Sequence, residues 1–354
     1  GAGTSTNMNM NEVLANRALQ ILGLTPGACG SVHPNDHVNR NQSTNDAYAT
    51  AVRISCIRLN KVLVDAIMKL ALAFSAKAES FADIPKLGRT QLQDAVAIGL
   101  GDEFRAFADT LLEDVDRGRE IASLFLEINL GGTAVGSGLG ATQAYRDSVV
   151  SELSAVTGLQ LVRARNLYEA SWDMGAFVLY SGFLKRLASK LSKISNDLRL
   201  LASGPRGGIA EIRLPGRQAG SSLMPGKVNP VIPEAVNQVA YRVFGLDTSI
   251  TFAAEAGQLQ LNAFEPLIVA SIHEGVTLLV SAMNVFRQNC VEGIEADTVR
   301  CKNTLTKSLA QATELVQELG YAAASDIVNL AHRDGITLRQ ARHAWASEKG
   351  LQNV

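Results

Sequence analysis

Residues 184–201, LKRLASKLSKISNDLRLL, decide the fold. Their apolar side chains recur at steps of three and four, which places them along one face of an α-helix, while charged residues fill the other faces. The recurring positions are Leu184, Leu187, Leu191, Ile194, Leu198 and Leu201. A helix with such a seam needs helical neighbours, so we expect a bundle in which it runs about 35 residues, from near Asn166 to the break at Ser203-Gly204-Pro205.

A second long helix is predicted between Pro34 and Pro85, because the residues between them include neither glycine nor proline. Within this stretch Leu63, Ile67 and Phe74 lie at helical spacing. Further helices are predicted at 100–129, 142–157, 231–253 and 264–289, and no alternating pattern predicts a strand longer than a few residues. The predicted fold class is all-α.

The composition narrows the classes of function. Of the 354 residues, 33 are Lys or Arg and 34 are Asp or Glu. The net charge of -1 therefore gives no broad positive potential that would attract nucleic acid or an acidic membrane surface. No apolar run is predicted to cross a bilayer, and the first residues do not form a signal peptide. The four cysteines lack metal-ligand spacing and are expected to be reduced thiols in a cytoplasmic protein. No metal or cofactor is predicted.

Four polar segments interrupt the helical pattern and are predicted to be loops: 1–9, 33–46, 84–96 and 203–230. They are rich in hydroxyl and amide side chains, and the last contains Lys227. Many neutral donors with one cation suit a small dicarboxylate. The glycine-rich segment 131–141 lacks a Walker lysine and a preceding strand, so we expect a plain connection there.

The segment 220–230, GSSLMPGKVNP, is similar to the signature loop of the fumarase/aspartase superfamily. Two other regions typical of that superfamily occur in the same order, STNDAYAT at 43–50 and GRTQLQDA at 88–95. The resemblance spans essentially the whole chain. Together with AAEAGQLQLNAFEP at 253–266, these motifs are most similar to the branch that releases ammonia from L-aspartate.

The resemblance implies a set of site residues. Ser221 would be the general base that removes the Cβ proton, and the product would be fumarate. The substrate-binding residues would be Thr4, Ser43, Thr44 and Ser222 at the β-carboxylate, Thr90, Lys227 and Asn229 at the α-carboxylate, and Asn45 with Gln91 at the amino group. Met224 and Glu234 would support them.

Two further expectations follow from the same resemblance. Hydratases of the superfamily carry a histidine where this chain has Gln91, and a glutamine cannot protonate a departing hydroxide. Hydration of fumarate is therefore disfavoured. The segment with His33, Asn35 and Asp36 matches a possible second anion site, although a structural turn would also explain it.

The resemblance also implies an architecture. We expect a homotetramer with a twenty-helix bundle and active sites shared among three subunits. The expected divisions are 1–43, the end of an N-terminal domain whose remainder precedes this chain; 44–299, the helical bundle; and 300–354, a small C-terminal helical domain. The alternatives are a fumarate hydratase, a lyase for a substituted aspartate, and an inactive helical protein of the lens-crystallin kind.

Overall fold

The computed structural model describes residues 1–310 and 312–350. Its helices are α1 (Thr4–Ile21), α2 (Thr44–Ser80), α3 (Leu100–Ala122), α4 (Gln143–Thr157), α5 (Gly175–Leu201), α6 (Val231–Glu255), α7 (Glu265–Asn289), α8 (Thr298–Lys307), α9 (Ala312–Leu319), α10 (Tyr321–Asp334) and α11 (Leu338–Glu348). The strands are β1 (Pro85–Thr90), β2 (Gln93–Gly99), β3 (Glu127–Ile128), β4 (Val162–Arg163), β5 (Ile212–Arg213) and β6 (Glu295–Ala296). The described chain is predominantly helical, which confirms the predicted all-α class.

Helix α5 carries the predicted seam but begins later than predicted. Leu187, Leu191 and Leu198 are buried, as the periodicity requires. The helix starts at Gly175 because two side chains favour other structures before it. Asn166 Oδ1 accepts the N–H of Tyr168 and so stabilises a turn, and Asp173 Oδ1 accepts the N–H of Gly175 at the helix start. The prediction of a helix from near Asn166 was therefore wrong by about two turns.

Three other predicted boundaries also change. The segment 1–9 is not a loop throughout, since α1 begins at Thr4. The predicted helix over 100–129 ends at Ala122 and continues as a 3-10 turn. The segment 84–96 is not a loop, because β1 and β2 pair there as an antiparallel hairpin. Its polar residues hid the strands, since β1 is buried at the consecutive residues Lys86, Leu87 and Gly88 and β2 has no buried residue, so neither strand shows an alternating pattern.

The contacts divide the chain into two units. Unit 1 comprises Gly1–Met68, Leu112–Ser192 and Val236–Met283. Its core includes an aromatic cluster in which the ring centroid of Phe125 lies 5.1 Å from that of Phe177 and 5.3 Å from that of Tyr180. Unit 2 comprises Lys69–Leu111, Lys193–Ala235 and the described residues from Asn284 onward. The sequence-based division at residues 43 and 299 stays a prediction.

Unit 2 contains two apolar cores. In one, the rings of Phe74, Phe81, Phe104, Phe107 and Phe286 pack with centroid distances between 5.1 and 6.1 Å. In the other, helices α9, α10 and α11 pack around a buried cluster that includes Leu315, Ile327, Leu338 and Trp345. Five of the phenylalanines of this chain therefore lie in one apolar core of unit 2.

Helix α7 departs from one expectation of the sequence analysis. The stretch Glu265–Gly293 is long and apolar enough to cross a membrane by length and composition, with a mean hydropathy of 1.5. Its buried residues recur every three or four positions along one face: Ile268, Ile272, Val276, Leu279, Met283 and Phe286. Glu274, near the middle, forms an ion pair of 2.7 Å with Arg242 of α6. This pattern is typical of a helix packed in a bundle.

Candidate active site

The first turn of α2 is fixed by a reciprocal pair of hydrogen bonds. Ser43 Oγ accepts the N–H of Asn45 at 3.2 Å, and Asp46 Oδ1 accepts the N–H of Ser43 at 2.9 Å. This arrangement resembles a capping box with aspartate in the acidic position, except that Ser43 Oγ accepts from the second residue of the helix and not from the third. It places the predicted residues Ser43, Thr44 and Asn45 at the N-terminal end of a 37-residue helix, where the helix dipole favours an anion.

Asp46 also holds the glycine-rich loop against this helix end. Its second oxygen accepts the N–H groups of Gly131 and Thr133 at 3.0 and 2.9 Å, and the side chain is fully buried. Burial raises the pKa of Asp46 above its ordinary value, while the backbone N–H donors act in the opposite direction. Segment 131–141 is therefore a connection, as predicted, and it additionally orders the first turn of α2.

Amide side chains join α1 to the start of α2. Asn7 donates to Asn39 Oδ1 at 3.2 Å and to Thr44 Oγ1 at 3.1 Å, and the buried Asn11 donates to Asn39 Oδ1 at 3.0 Å. Thr4 is the exposed first residue of α1. Gly3, before it, has a φ of 86°, and a Cβ there would lie 2.4 Å from the ring of Tyr48.

Asn45 is oriented by two contacts, one with the glycine-rich segment and one with a residue just before it. Its Nδ2 donates to the backbone carbonyl of Ala134 at 2.7 Å, and its backbone carbonyl accepts from Asn129 Nδ2 at 3.0 Å. The hydrogen bond to Ala134 engages one of the two Nδ2 donors, and Oδ1 is the acceptor that the side chain can offer to an ammonium group.

The predicted residues Thr90 and Gln91 lie at the tip of the β1–β2 hairpin. Thr90 pairs with Gln93, so Gln91 and Leu92 form a two-residue turn. Their φ angles are 52° and 63°, and a type I′ turn requires positive values at both positions. Neither residue is glycine, asparagine or aspartate, so the turn holds both in a strained conformation, a feature that is frequent at functional sites.

A buried network of four charges holds this hairpin. Arg89 binds Glu211 through two hydrogen bonds of 3.1 and 2.8 Å, and Lys86 Nζ lies 3.1 Å from Glu211 and 2.7 Å from Glu103. Glu211 is fully buried, and Lys86 is 2% exposed. Burial acts to lower the pKa of Arg89, but the bound Glu211 carboxylate raises it above its ordinary value. Since Arg89 precedes Thr90 and Glu211 lies in 203–230, the network ties both candidate segments together.

The signature loop is closed by its own backbone. Gly220 N–H donates to the carbonyl of Lys227 at 3.0 Å, and Asn229 Nδ2 donates to the carbonyl of Gly220 at 3.0 Å. A Cβ on Gly220 would lie 2.1 Å from the Lys227 carbonyl oxygen, so this close approach requires glycine. The side chains of Ser222, Met224 and Lys227 are exposed on this loop.

Ser221 is the focus of the loop. Its Oγ accepts the N–H groups of Leu223 and Met224 at 3.0 and 3.1 Å. Two backbone donors aimed at one hydroxyl oxygen stabilise negative charge on that oxygen. Glu234 lies in the first turn of α6, with one carboxylate oxygen 4.0 Å from Arg199.

The segment around His33 forms a cap. His33 Nδ1 accepts the N–H groups of Asn35 and Asp36 at 3.2 Å each, at the start of the π-helical turn Pro34–Val38. The same nitrogen lies 3.4 Å from an Asp36 carboxylate oxygen. An acceptor nitrogen carries no proton, so these hydrogen bonds and an ion pair are alternative states. The turn interpretation explains this geometry, and the anion-site role of His33, Asn35 and Asp36 stays a prediction.

The structure thus places the predicted site residues in separate groups. Unit 1 holds the α1 end, the α2 end and the His33 turn, whereas unit 2 holds the hairpin tip and the signature loop. The sequence analysis did not single out Asp46, Arg89 or Glu211. Asp46 and Arg89 lie inside the quoted motifs, but Glu211 carried no local signal. Among the described residues, no group of three or more His, Cys, Asp or Glu side chains is arranged to hold a metal ion.

Comparison with known proteins defines the class. A family model described as a lyase matches residues 1–245. The chain therefore belongs to this lyase family, the fumarase/aspartase superfamily. Within it, the chain is 54% identical to the aspartate ammonia-lyase of Pseudomonas aeruginosa, over 95% of this chain and 71% of that protein. It is 49% identical to the aspartate ammonia-lyase of Escherichia coli, over 99% of this chain and 73% of that protein.

Solved structures agree with this assignment. A fumarate lyase:delta crystallin from Brucella melitensis bound to cobalt has a TM-score of 0.94 and 54% identity, covering 98% of this chain and 77% of that chain. A class II fumarase from Schistosoma mansoni has a TM-score of 0.91 at 33% identity, covering 99% of this chain and 76% of that chain. The helical fold is shared at both levels of identity.

Proposed function

We propose that this chain catalyses the reversible anti elimination of ammonia from L-aspartate to give fumarate, with Ser221 as the general base. The kinship with aspartate ammonia-lyases supports the reaction. The observation that carries the assignment of the base is the pair of backbone N–H groups directed at Ser221 Oγ.

The chemistry explains why such donors matter. The Cβ proton of aspartate lies beside a carboxylate, so its removal places a second negative charge on that group and forms an aci-carboxylate. Stabilising this dianion is the main catalytic task. A serine must lose its own proton to act as the base, and an unassisted alkoxide is costly in water. The N–H groups of Leu223 and Met224 lower this cost at Ser221 Oγ.

The remaining roles follow the donors and acceptors that each side chain offers. Thr4, Ser43, Thr44 and Ser222 bind the β-carboxylate, on which the negative charge accumulates. Thr90, Lys227 and Asn229 bind the α-carboxylate, and Asn45 with Gln91 binds the ammonium group. The engaged Nδ2 of Asn45 supports its role, because an ammonium needs an acceptor and Oδ1 supplies one. Met224 and Glu234 support the loop, and no cofactor is required.

Assembly completes the site in this proposal. The chain forms a homotetramer in which three subunits share each active site, and the divisions at 43 and 299 separate its domains. Several apolar side chains of the long helices are exposed in the single chain and are available to an interface between subunits. They are Val62 and Leu72 of α2, Tyr241 and Phe252 of α6, and Leu267 of α7. We also propose a cytoplasmic location, with neither nucleic acid nor membrane as a partner.

Substrate choice gives the first test. We expect the chain to convert L-aspartate to fumarate while leaving L-malate essentially unchanged, because Gln91 cannot protonate a departing hydroxide, whereas ammonium already carries its proton. Ultraviolet absorbance of fumarate, measured with each substrate and with a chelator present, checks this expectation. Equal turnover of L-malate would favour the fumarate hydratase alternative. A much faster reaction with a substituted aspartate would favour the other lyase, and no turnover would favour the inactive crystallin-like alternative.

Lys227 gives the second test. Lys227→Met keeps the length of the side chain and removes its charge, so the α-carboxylate loses a charge-assisted hydrogen bond of about 1.5–3 kcal/mol. We expect a KM for L-aspartate raised about tenfold or more, a lower kcat, and weaker inhibition by fumarate. Steady-state kinetics with fumarate as inhibitor provide the measurement. Lys307→Met, on α8, is the control and should behave as the parent chain; wild-type constants in Lys227→Met would show that Lys227 binds no carboxylate.

A further inference from the structure

A cavity of about 470 Å³ in unit 1 lies among residues that belong to none of the candidate loops. Its polar lining consists of Arg53, Ser123, Glu127, Glu169 and Asp173, and the remaining lining is apolar. Three carboxylates and one guanidinium therefore face a space large enough for a small organic molecule.

Arg53 is the most deeply buried polar residue of this lining, with 7% of its surface exposed. Its guanidinium lies 5.3 Å from the centroid of the Phe177 ring. Within the described part of the chain, that guanidinium makes no hydrogen bond and no ion pair within 4 Å. Burial lowers the pKa of Arg53, and the charges of Glu265, Asp173 and Glu127 act in the opposite direction. The N–H donors of this guanidinium are therefore available to a bound carboxylate.

The three carboxylates come from different segments, each fixed by local structure. Glu127 is positioned by the pairing of β3 with β4, Glu169 lies in the 3-10 turn that Asn166 initiates, and Asp173 precedes α5. Partial burial, and then the charges of Asp173 and Glu127, raise the pKa of Glu169 above its ordinary value. The carboxylates therefore repel one another across the cavity, and a bound cation would relieve the repulsion.

The kind of cation is restricted by the arrangement. Like the other acidic residues in the described part of the chain, these carboxylates are not arranged to hold a metal ion together. An ammonium group on a small organic molecule therefore fits among these carboxylates better than a bare metal ion does. The buried Arg53 adds a requirement for a negative group on the same ligand.

We propose that this cavity binds a small amino-carboxylate zwitterion, with its carboxylate on Arg53 and its ammonium group among Glu127, Glu169 and Asp173. The charges match in sign at both ends, and a dicarboxylate such as fumarate would be repelled by the acidic end. The proposal does not depend on Ser221 or on the reaction at the candidate active site.

Isothermal titration calorimetry with β-alanine tests the proposal on the full chain, with fumarate present in excess to occupy the candidate active site. One saturable binding event per chain is expected. Glu169→Gln should weaken it about tenfold or more, because one charge-assisted contact is lost. Glu152→Gln, which changes an exposed glutamate on α4, is the matched control and should bind as the parent chain does. Ser221→Ala should also retain the binding.

The half-ligands ethylamine and propionate separate the two ends of the site. Each should bind at least about tenfold more weakly than β-alanine, since each lacks one of the two charged contacts. Arg53→Met should abolish β-alanine binding, with circular dichroism confirming that the variant is folded. The proposal is wrong if β-alanine shows no saturable binding, if Glu169→Gln binds it normally, or if ethylamine binds as tightly as β-alanine.

Discussion

Replacing Ser221 with alanine is expected to reduce kcat for L-aspartate by about 10³-fold or more, the scale on which an essential proton-transfer group acts. The variant lacks the oxygen that receives the N–H groups of Leu223 and Met224. It loses no buried apolar contact, because the loop is at the surface. Helical circular dichroism and oligomer size should therefore match the parent chain.

Fumarate binding distinguishes loss of the base from collapse of the loop. If Ser221→Ala removes the base alone, calorimetry should still detect fumarate binding, because Lys227 and Asn229 remain in place. Ser151→Ala, on the exposed side of α4, is the control and should leave kcat unchanged. A near-normal kcat in Ser221→Ala would assign proton abstraction to another group.

The second large effect is expected at Glu211, which lies in the same segment as Ser221 and outside the signature loop. Glu211→Gln removes the carboxylate that Lys86 and Arg89 share, so the buried Lys86 keeps only Glu103 and the partly buried Arg89 loses its ion pair. Breaking a fully buried pair destabilises a protein by about 3–5 kcal/mol, which is the upper limit expected here. Thermal or urea unfolding at fixed protein concentration should show a clearly lowered midpoint. The midpoint falls because two cations that are largely removed from water then share only the Glu103 carboxylate.

Glu113→Gln is the matched control for that experiment. Glu113 is 66% exposed and pairs with Arg186 at 3.4 Å, and such surface pairs contribute only about 0–1 kcal/mol. Equal midpoints for Glu113→Gln and Glu211→Gln would show that the buried network contributes no stability. Arg89→Lys should give a smaller loss of stability together with a higher KM, since the two-pronged contact that holds the hairpin tip becomes a single one.

The sequence by itself determined the helical class, the seam of α5 and the motifs that define the family. The first two were readable because the repeat of apolar residues every three or four positions is a local property of the chain. The signature loop was readable for a similar reason, since Gly220, Ser221, Lys227 and Asn229 interact across fewer than ten positions. The resemblance then supplied the reaction.

Only the tertiary structure decided where the polar side chains find their partners. Segment 84–96, which forms most of the hairpin, was predicted as a loop because its strands are half polar and its turn lacks glycine. The hairpin is held by Glu211, 122 positions after Arg89. Asp46 likewise meets Thr133 across 87 positions. A charged or amide side chain has many possible partners of the right type, and the choice among them follows from which elements the apolar cores bring together. The local repeat of apolar residues predicts the helices, whereas the side chains of the site are positioned by contacts between residues that are far apart in sequence.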